Sequence, residues 1–121
     1  MLGSCVSTRD QNDRVVINNI EILTQGNSIE DTDDMREICK PFKLTKKQVL
    51  LYYLESKDST EQEIHDSYNI LPCNSTGTII INNKIFSWII RAGGVGTFYN
   101  KNKVILRVCD EKCCNKIKGI C

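Results

Sequence analysis

The chain has 121 residues, with 16 lysines and arginines against 15 aspartates and glutamates, for a net charge of +1. That length suits one ordinary domain and is short for two with proper cores. Balanced charge supplies no global field to draw the protein onto nucleic acid, and the basic residues do not form the aromatic-interleaved stripe such binding uses, so nucleic acid is excluded as an expected partner.

The first element is the tetrad Leu2-Gly3-Ser4-Cys5, a branched aliphatic and two small residues ahead of a cysteine. It resembles the lipobox of bacterial lipoproteins, position by position. In that family the cysteine takes diacylglycerol and becomes the new N-terminus, so the resemblance implies lipid attachment at Cys5. It departs from the family pattern upstream, where a secretory signal carries a basic start and an apolar stretch of roughly 7–15 residues; here only Met1 precedes Leu2. The implied address is the bacterial cell envelope, with the protein membrane-anchored and facing the periplasm or exterior. Val6, not being Asp, implies transfer to an outer membrane where the cell has one. Acyl chains at about 0.8 kcal/mol per buried methylene would hold a small domain on a bilayer without a spanning helix. The longest apolar runs, such as residues 49–54 and 79–81, fall short of the roughly 18 residues that span one.

Residues 1–14 are polar after the cysteine and read as a flexible N-terminal tether, leaving 15–121 as a single domain. Val15, Val16, Ile17, Ile20, Ile22 and Leu23 predict a strand over 15–23, ended by Gly26-Asn27-Ser28. Met35, Ile38 and Cys39 have the spacing of a short helix or turn before Pro41. Thr45-Lys46-Lys47-Gln48 has the form of a capping box, and Leu44 can staple to Val49, so the main helix starts there. Its apolar face comprises Val49, Leu50, Tyr53, Leu54 and part of Leu51 and Tyr52, wide enough to require packing against a sheet. Lys57-Asp58-Ser59 closes it, and Thr60 to Glu63 can start a further short turn.

After Pro72-Cys73 the pattern switches to period two. Asn74-Ser75-Thr76 reads as a turn, and residues 78–81 and 84–90 are two runs of β formers across Asn82-Asn83, a pair that tolerates the positive φ of a tight hairpin. Phe86, Trp88 and Ile90 share one face, with Trp88 expected in the core; Ile85, Ser87 and Ile89 share the other. Gly93, Gly94 and Gly96 read as a hairpin connection, since the Gly-Lys-Ser/Thr of a phosphate loop is missing. Residues 95–99 form a third strand and 104–109 a fourth, with Val104, Leu106 and Val108 facing inward. The expected fold is α+β: an antiparallel β-meander of four to five strands packed on one main helix.

Seven cysteines are many for this length. With Cys5 set aside, Cys39, Cys73, Cys109, Cys113, Cys114 and Cys121 form an even set that suits disulfides in an oxidising compartment. Adjacent Cys113 and Cys114 should reach different partners, because a bond between neighbours is strained. The preferred bridge joins Cys73 to Cys109, Cys113 or Cys114 and fastens the tail to the loop before the first hairpin. A rival reading gathers the four C-terminal cysteines as zinc ligands in a cytosolic, zinc-stabilised binding module, although structural zinc sites usually separate two closely spaced pairs by a longer spacer.

His65, the only histidine, stands beside Asp66 and eight positions before Cys73. A Cys73/His65 nucleophile pair in an envelope enzyme is therefore an alternative, but nothing in the sequence around Cys73 lowers a thiol pKa. The lysines 101, 103, 112, 116 and 118 and the acids Glu30, Asp31, Asp33, Asp34 and Glu37 read as solvated surface. Residues 44–109, through Leu44, His65-Asp66, Pro72-Cys73, Gly77, Trp88-Ile89-Ile90, Gly96 and Cys109, resemble small exported bacterial proteins with a helix followed by a meander, which implies a binding or structural role. The resulting expectation is a non-catalytic, lipid-anchored envelope protein without cofactor or metal that binds another protein. An immunity or exclusion factor, neutralising a delivered toxin or phage component, is its most plausible use.

Overall fold

A computed structural model describes residues 15–121. The expected tether and Cys5 lie outside the described residues. The chain runs β1 (Ile17–Ser28), α1 (Asp33–Cys39), α2 (Lys46–Glu55), β2 (Lys57–Asp58), α3 (Glu61–Ser67), β3 (Cys73–Ile81), β4 (Lys84–Arg91), β5 (Val95–Tyr99), β6 (Val104–Val108) and α4 (Glu111–Lys116). Six strands form one sheet in the order β1-β3-β4-β5-β6-β2, and every neighbouring pair is antiparallel.

The β3–β4 hairpin turns on two residues. Asn82 and Asn83 have φ of 49° and 68°, the doubly positive combination that matches the right-handed strand twist and that asparagine tolerates better than other side chains. Register then follows, with Ile81 opposite Lys84, Ile79 opposite Phe86 and Gly77 opposite Trp88. Because side chains alternate, Ile79, Ile81, Phe86, Trp88, Ile90 and Phe98 all face one way, and all are buried.

Helix α2 covers that face. Thr45 accepts from the Gln48 amide at 3.1 Å while the Gln48 side chain accepts from the Thr45 amide at 2.8 Å, closing the capping box on two otherwise unpaired donors. Leu44 and Val49 share the main core with the sheet residues. Tyr52 is fully buried, and Tyr53 meets Phe98 edge-on with centroids 5.0 Å apart. Two glycines permit this close approach. A Cβ on Gly96 would stand 2.6 Å from the Tyr52 hydroxyl, and one on Gly77 would stand 2.5 Å from Trp88 Cζ2 and overlap the Glu21 carbonyl oxygen. A smaller cluster of Ile64, Val95 and Val108, joined by Tyr68 and Leu106, packs α3 on the other side of the sheet.

The fold is α+β, with a larger sheet and more helices than expected. The single main helix becomes four short ones, and the four-to-five-stranded meander becomes six strands because Lys57 and Asp58, expected only to end α2, pair with Val108 and Arg107. β1 continues through Gly26, whose φ of +57° bends the strand without ending it. Asn74, Ser75 and Thr76 lie within β3; Asn74 and Ser75 are buried, and Ser75 donates to the Gln25 side chain at 2.6 Å. Val104, Leu106 and Val108 share a face, but it is the α3 side, and Val104 remains 64% exposed. On α2 Val49 and Tyr52 are the fully buried residues, while Leu54 points to solvent. α4 and the tail after it carry core residues, Ile117 and Ile120, that periodicity did not reveal.

Candidate functional site

All six described cysteines are paired: Cys39 with Cys73, Cys109 with Cys113, and Cys114 with Cys121. Cys113 and Cys114 reach different partners, as neighbour geometry requires. The expected bridge from Cys73 to the tail is not formed. Cys73 opens β3 directly opposite Ser28, the last residue of β1, and the next element after β1 is α1, which ends on Cys39. Antiparallel pairing therefore brings Cys39, not the tail, to Cys73.

The tail is fastened by other means. Ile117 and Ile120 enter the main core, the Gly93 amide donates to the Ile120 carbonyl at 2.8 Å, and the Gln48 side chain donates to the Lys118 carbonyl at 3.2 Å. Gly93 and Gly94, with φ of +96° and +89°, turn β4 into β5 in a conformation side-chain-bearing residues rarely adopt. A Cβ on Gly94 would approach Cys121 Sγ at 3.1 Å, so the turn lies hard against the tail.

Between this turn, α4 and the α3–β3 connection lies a cleft of about 480 Å³, lined by Tyr68, Asn69, Leu71, Gly93, Asp110, Cys109, Cys114 and Cys121. Asp110 caps α4 by accepting from the Cys113 amide at 3.0 Å. The sulfurs of these three cysteines fall within 4.8 Å of one another. Leu71, which lines the cleft, and its chain neighbour Ile70 are both exposed large apolar residues. Disulfides and capped backbone make the floor rigid, while a short, partly apolar connection forms the rim. Such a surface can hold a partner's side chain, and its three cysteines are held in disulfides.

The Cys/His pair is not assembled. Cys73 Sγ is bonded to Cys39, and His65 lies on the exposed side of α3 with Nδ1 3.3 Å from Asp66. A hydrogen bond from the Gln62 amide, and then the one with His65, holds the Asp66 carboxyl below its usual range.

Sequence reasoning missed a buried polar network at the opposite end of α2. The Tyr52 hydroxyl lies 2.9 Å from the Gly94 carbonyl and 3.0 Å from the Arg107 carbonyl, sharing its one proton between them. Burial pushes its pKa far above the ordinary tyrosine value, against the lowering influence of Arg107. Arg107 donates to Ser56 Oγ at 3.0 Å, Asp58 at 2.8 Å and the Tyr53 carbonyl at 2.7 Å, and its guanidinium lies 4.8 Å from the Tyr53 ring centroid. Burial raises Tyr53 as well, again opposed by Arg107. This network ties the end of α2 and β2 to β6, which is a structural task. An alternating strand pattern gives no sign of it, because an arginine on the core face of β6 is satisfied only by elements far away in sequence.

Among the described residues no helix is long and apolar enough to cross a membrane. No protein-family model, curated protein or solved structure matches the chain.

Proposed function

We propose that the chain is a non-catalytic, lipid-anchored protein of the bacterial cell envelope that binds another protein, with Cys5 as the acylated residue and an immunity or exclusion role as its use. The observation that carries this reading is the complete pairing of the six described cysteines into three bridges. Such bridges persist in exported proteins and are rare where cytosolic thiol reductants act. Pairing within the domain also leaves the seventh cysteine, in the lipobox-like tetrad, as the odd one in the chain. The cleft lined by Tyr68 and Leu71, with exposed Ile70 next to Leu71 in the chain, is the surface we assign to the partner.

The test is capture from envelope extracts. The native protein should retain one partner in stoichiometric amount, and Ile70→Asp with Leu71→Asp should release it. Retention of no partner, together with a hydrolytic turnover abolished by Cys73→Ala or His65→Ala, would replace this reading with the enzyme alternative.

One observation favours a second reading. Cys109, Cys114 and Cys121 have sulfurs close enough for a common soft cation, and Cys113 is the bonded neighbour of Cys109. Reduced by a dithiol, these cysteines would offer zinc up to four thiolates. In that reading the protein is a cytosolic module, and protein purified reduced and without chelator carries about one equivalent of zinc; metal-free protein with six oxidised cysteines contradicts it.

A further inference from the structure

Both long hairpins turn at the same end of the sheet, away from α4 and the cleft. Asn82 and Asn83 join β3 to β4, residues 100–103 join β5 to β6, and the Asn100 side chain donates to the Ile85 carbonyl at 3.2 Å, tying one turn to the other. Three lysines stand there: Lys84, Lys101 and Lys103. All are exposed, and none has a carboxylate within ion-pair distance among the described residues. Cross-strand register places Tyr99 opposite both Ser87 and Val104, and Ile85 two residues from Ser87 on the same face. Ile85 is 67% exposed and Val104 64%. An apolar patch with a tyrosine is thus bordered by three lysines that no described carboxylate pairs.

The described chain also enters at this end. The Val16 amide donates to the Asn82 side chain at 2.9 Å, and the Asn82 amide donates to the Val16 carbonyl at 2.8 Å. Val15 lies ten positions after Cys5, a stretch that spans at most about 35 Å when fully extended. A lipid on Cys5 would therefore be attached from the hairpin end rather than from the cleft, and the charge and apolar exposure of that end decide which face meets the bilayer.

We propose that this end is a membrane-apposed face, in which Lys84, Lys101 and Lys103 contact anionic phospholipid headgroups while Ile85, Tyr99 and Val104 enter the boundary between headgroups and acyl chains. The proposal rests on the anchored reading for its orientation and on the charge and exposure of the hairpins for its chemistry. Lysines near an anionic leaflet and aromatic or aliphatic side chains at its boundary are the usual components of peripheral attachment. It leaves the cleft turned away from the lipid, open to a partner.

The test uses the full chain with Cys5→Ser, so that no acyl chain contributes, and sedimentation with phosphatidylcholine vesicles with or without phosphatidylglycerol. Binding is expected only with phosphatidylglycerol and should weaken as salt rises. The triple variant Lys84→Glu, Lys101→Glu, Lys103→Glu should bind roughly a hundredfold more weakly, at about fivefold per lysine. A triple variant with the same charge change elsewhere, Lys43→Glu, Lys112→Glu, Lys118→Glu, should keep most of the affinity. Ile85→Ser with Val104→Ser should weaken binding without altering charge. Fluorescence of buried Trp88 checks that each variant is folded. Failure of the parent chain to bind phosphatidylglycerol vesicles, or equal losses in the two charge variants, overturns the proposal. So does displacement by soluble polyglutamate with no effect of the Ile85 and Val104 changes, which would point to an acidic protein instead. Because the probe is unacylated, none of these failures touches acylation of Cys5, which the mass of the native protein reads separately.

Discussion

Removing the Cys39–Cys73 bridge should cost more than removing either of the others. That bridge closes a loop with a sequence separation of 34, whereas Cys109–Cys113 spans 4 and Cys114–Cys121 spans 7. In the chain-entropy treatment these separations correspond to about 3.8, 1.9 and 2.4 kcal/mol respectively at 25 °C. The first is a large share of the roughly 5–15 kcal/mol that holds an ordinary domain together. The long bridge also joins two separate elements, α1 and the start of β3. The other two bridges lie within the C-terminal segment, whose Ile117 and Ile120 hold it in the core independently. Paired alanine substitutions at each bridge, unfolded in urea and followed through Trp88, give the comparison directly. Trp88 is the only tryptophan and is fully buried, so its emission reports on the main core. The Cys39/Cys73 variant should lose about twice the stability lost by the Cys109/Cys113 variant. Equal losses, or the reverse order, would refute the assignment of the long bridge as the main cross-link.

Gly96→Ala should destabilise by about 1–3 kcal/mol, the usual range for overpacking a filled core, since its Cβ would meet the Tyr52 ring and hydroxyl; a neutral result in thermal unfolding would mean that α2 can shift away from the sheet. Arg107→Lys, measured by urea unfolding, should cost about 2 kcal/mol although charge is kept, because a single ammonium cannot reproduce the fork that reaches Ser56, Asp58 and the Tyr53 carbonyl. Alkaline stability follows from Tyr52. Its folded pKa is raised above the ordinary value of 10.0, so its contribution is complete below about pH 10 and is lost above it as the unfolded chain ionises first, at about 1.4 kcal/mol per pH unit. In Tyr52→Phe the slope of stability against pH above that point should be shallower by about that amount, and an unchanged slope would show that Tyr52 ionises freely in the folded protein.

Local structure was legible where a few neighbouring residues decide it. Thr45 with Gln48 fixed the start of α2, and the alternation of Phe86, Trp88 and Ile90 against Ile85, Ser87 and Ile89 fixed which side of β4 is buried. The Asn82-Asn83 turn was equally plain. What escaped depends on partners distant in sequence. Lys57 and Asp58 are a strand only because β6 presents them with an edge, and Tyr52, rather than Leu54, turns inward because Gly96 leaves room for its ring. The disulfide partner of Cys73 was hidden for the same reason, since it depends on where β1 ends against β3. Within the candidate site, the cysteines stood out by composition, but Tyr68, Asn69 and Leu71 come from a connection with no periodic signal. The lysine-bordered hairpin end could be recognised only once both turns were known to lie side by side.

The proposed anchoring has two halves, an oxidised domain and a lipid on Cys5. Intact-mass spectrometry of the native protein from fractionated bacterial cells tests both halves at once. The account predicts recovery in the envelope fraction, a diacylglyceryl mass on Cys5 as the N-terminal residue, and six cysteines resistant to alkylation until reduced. An unmodified Cys5 together with six freely alkylated thiols would contradict it.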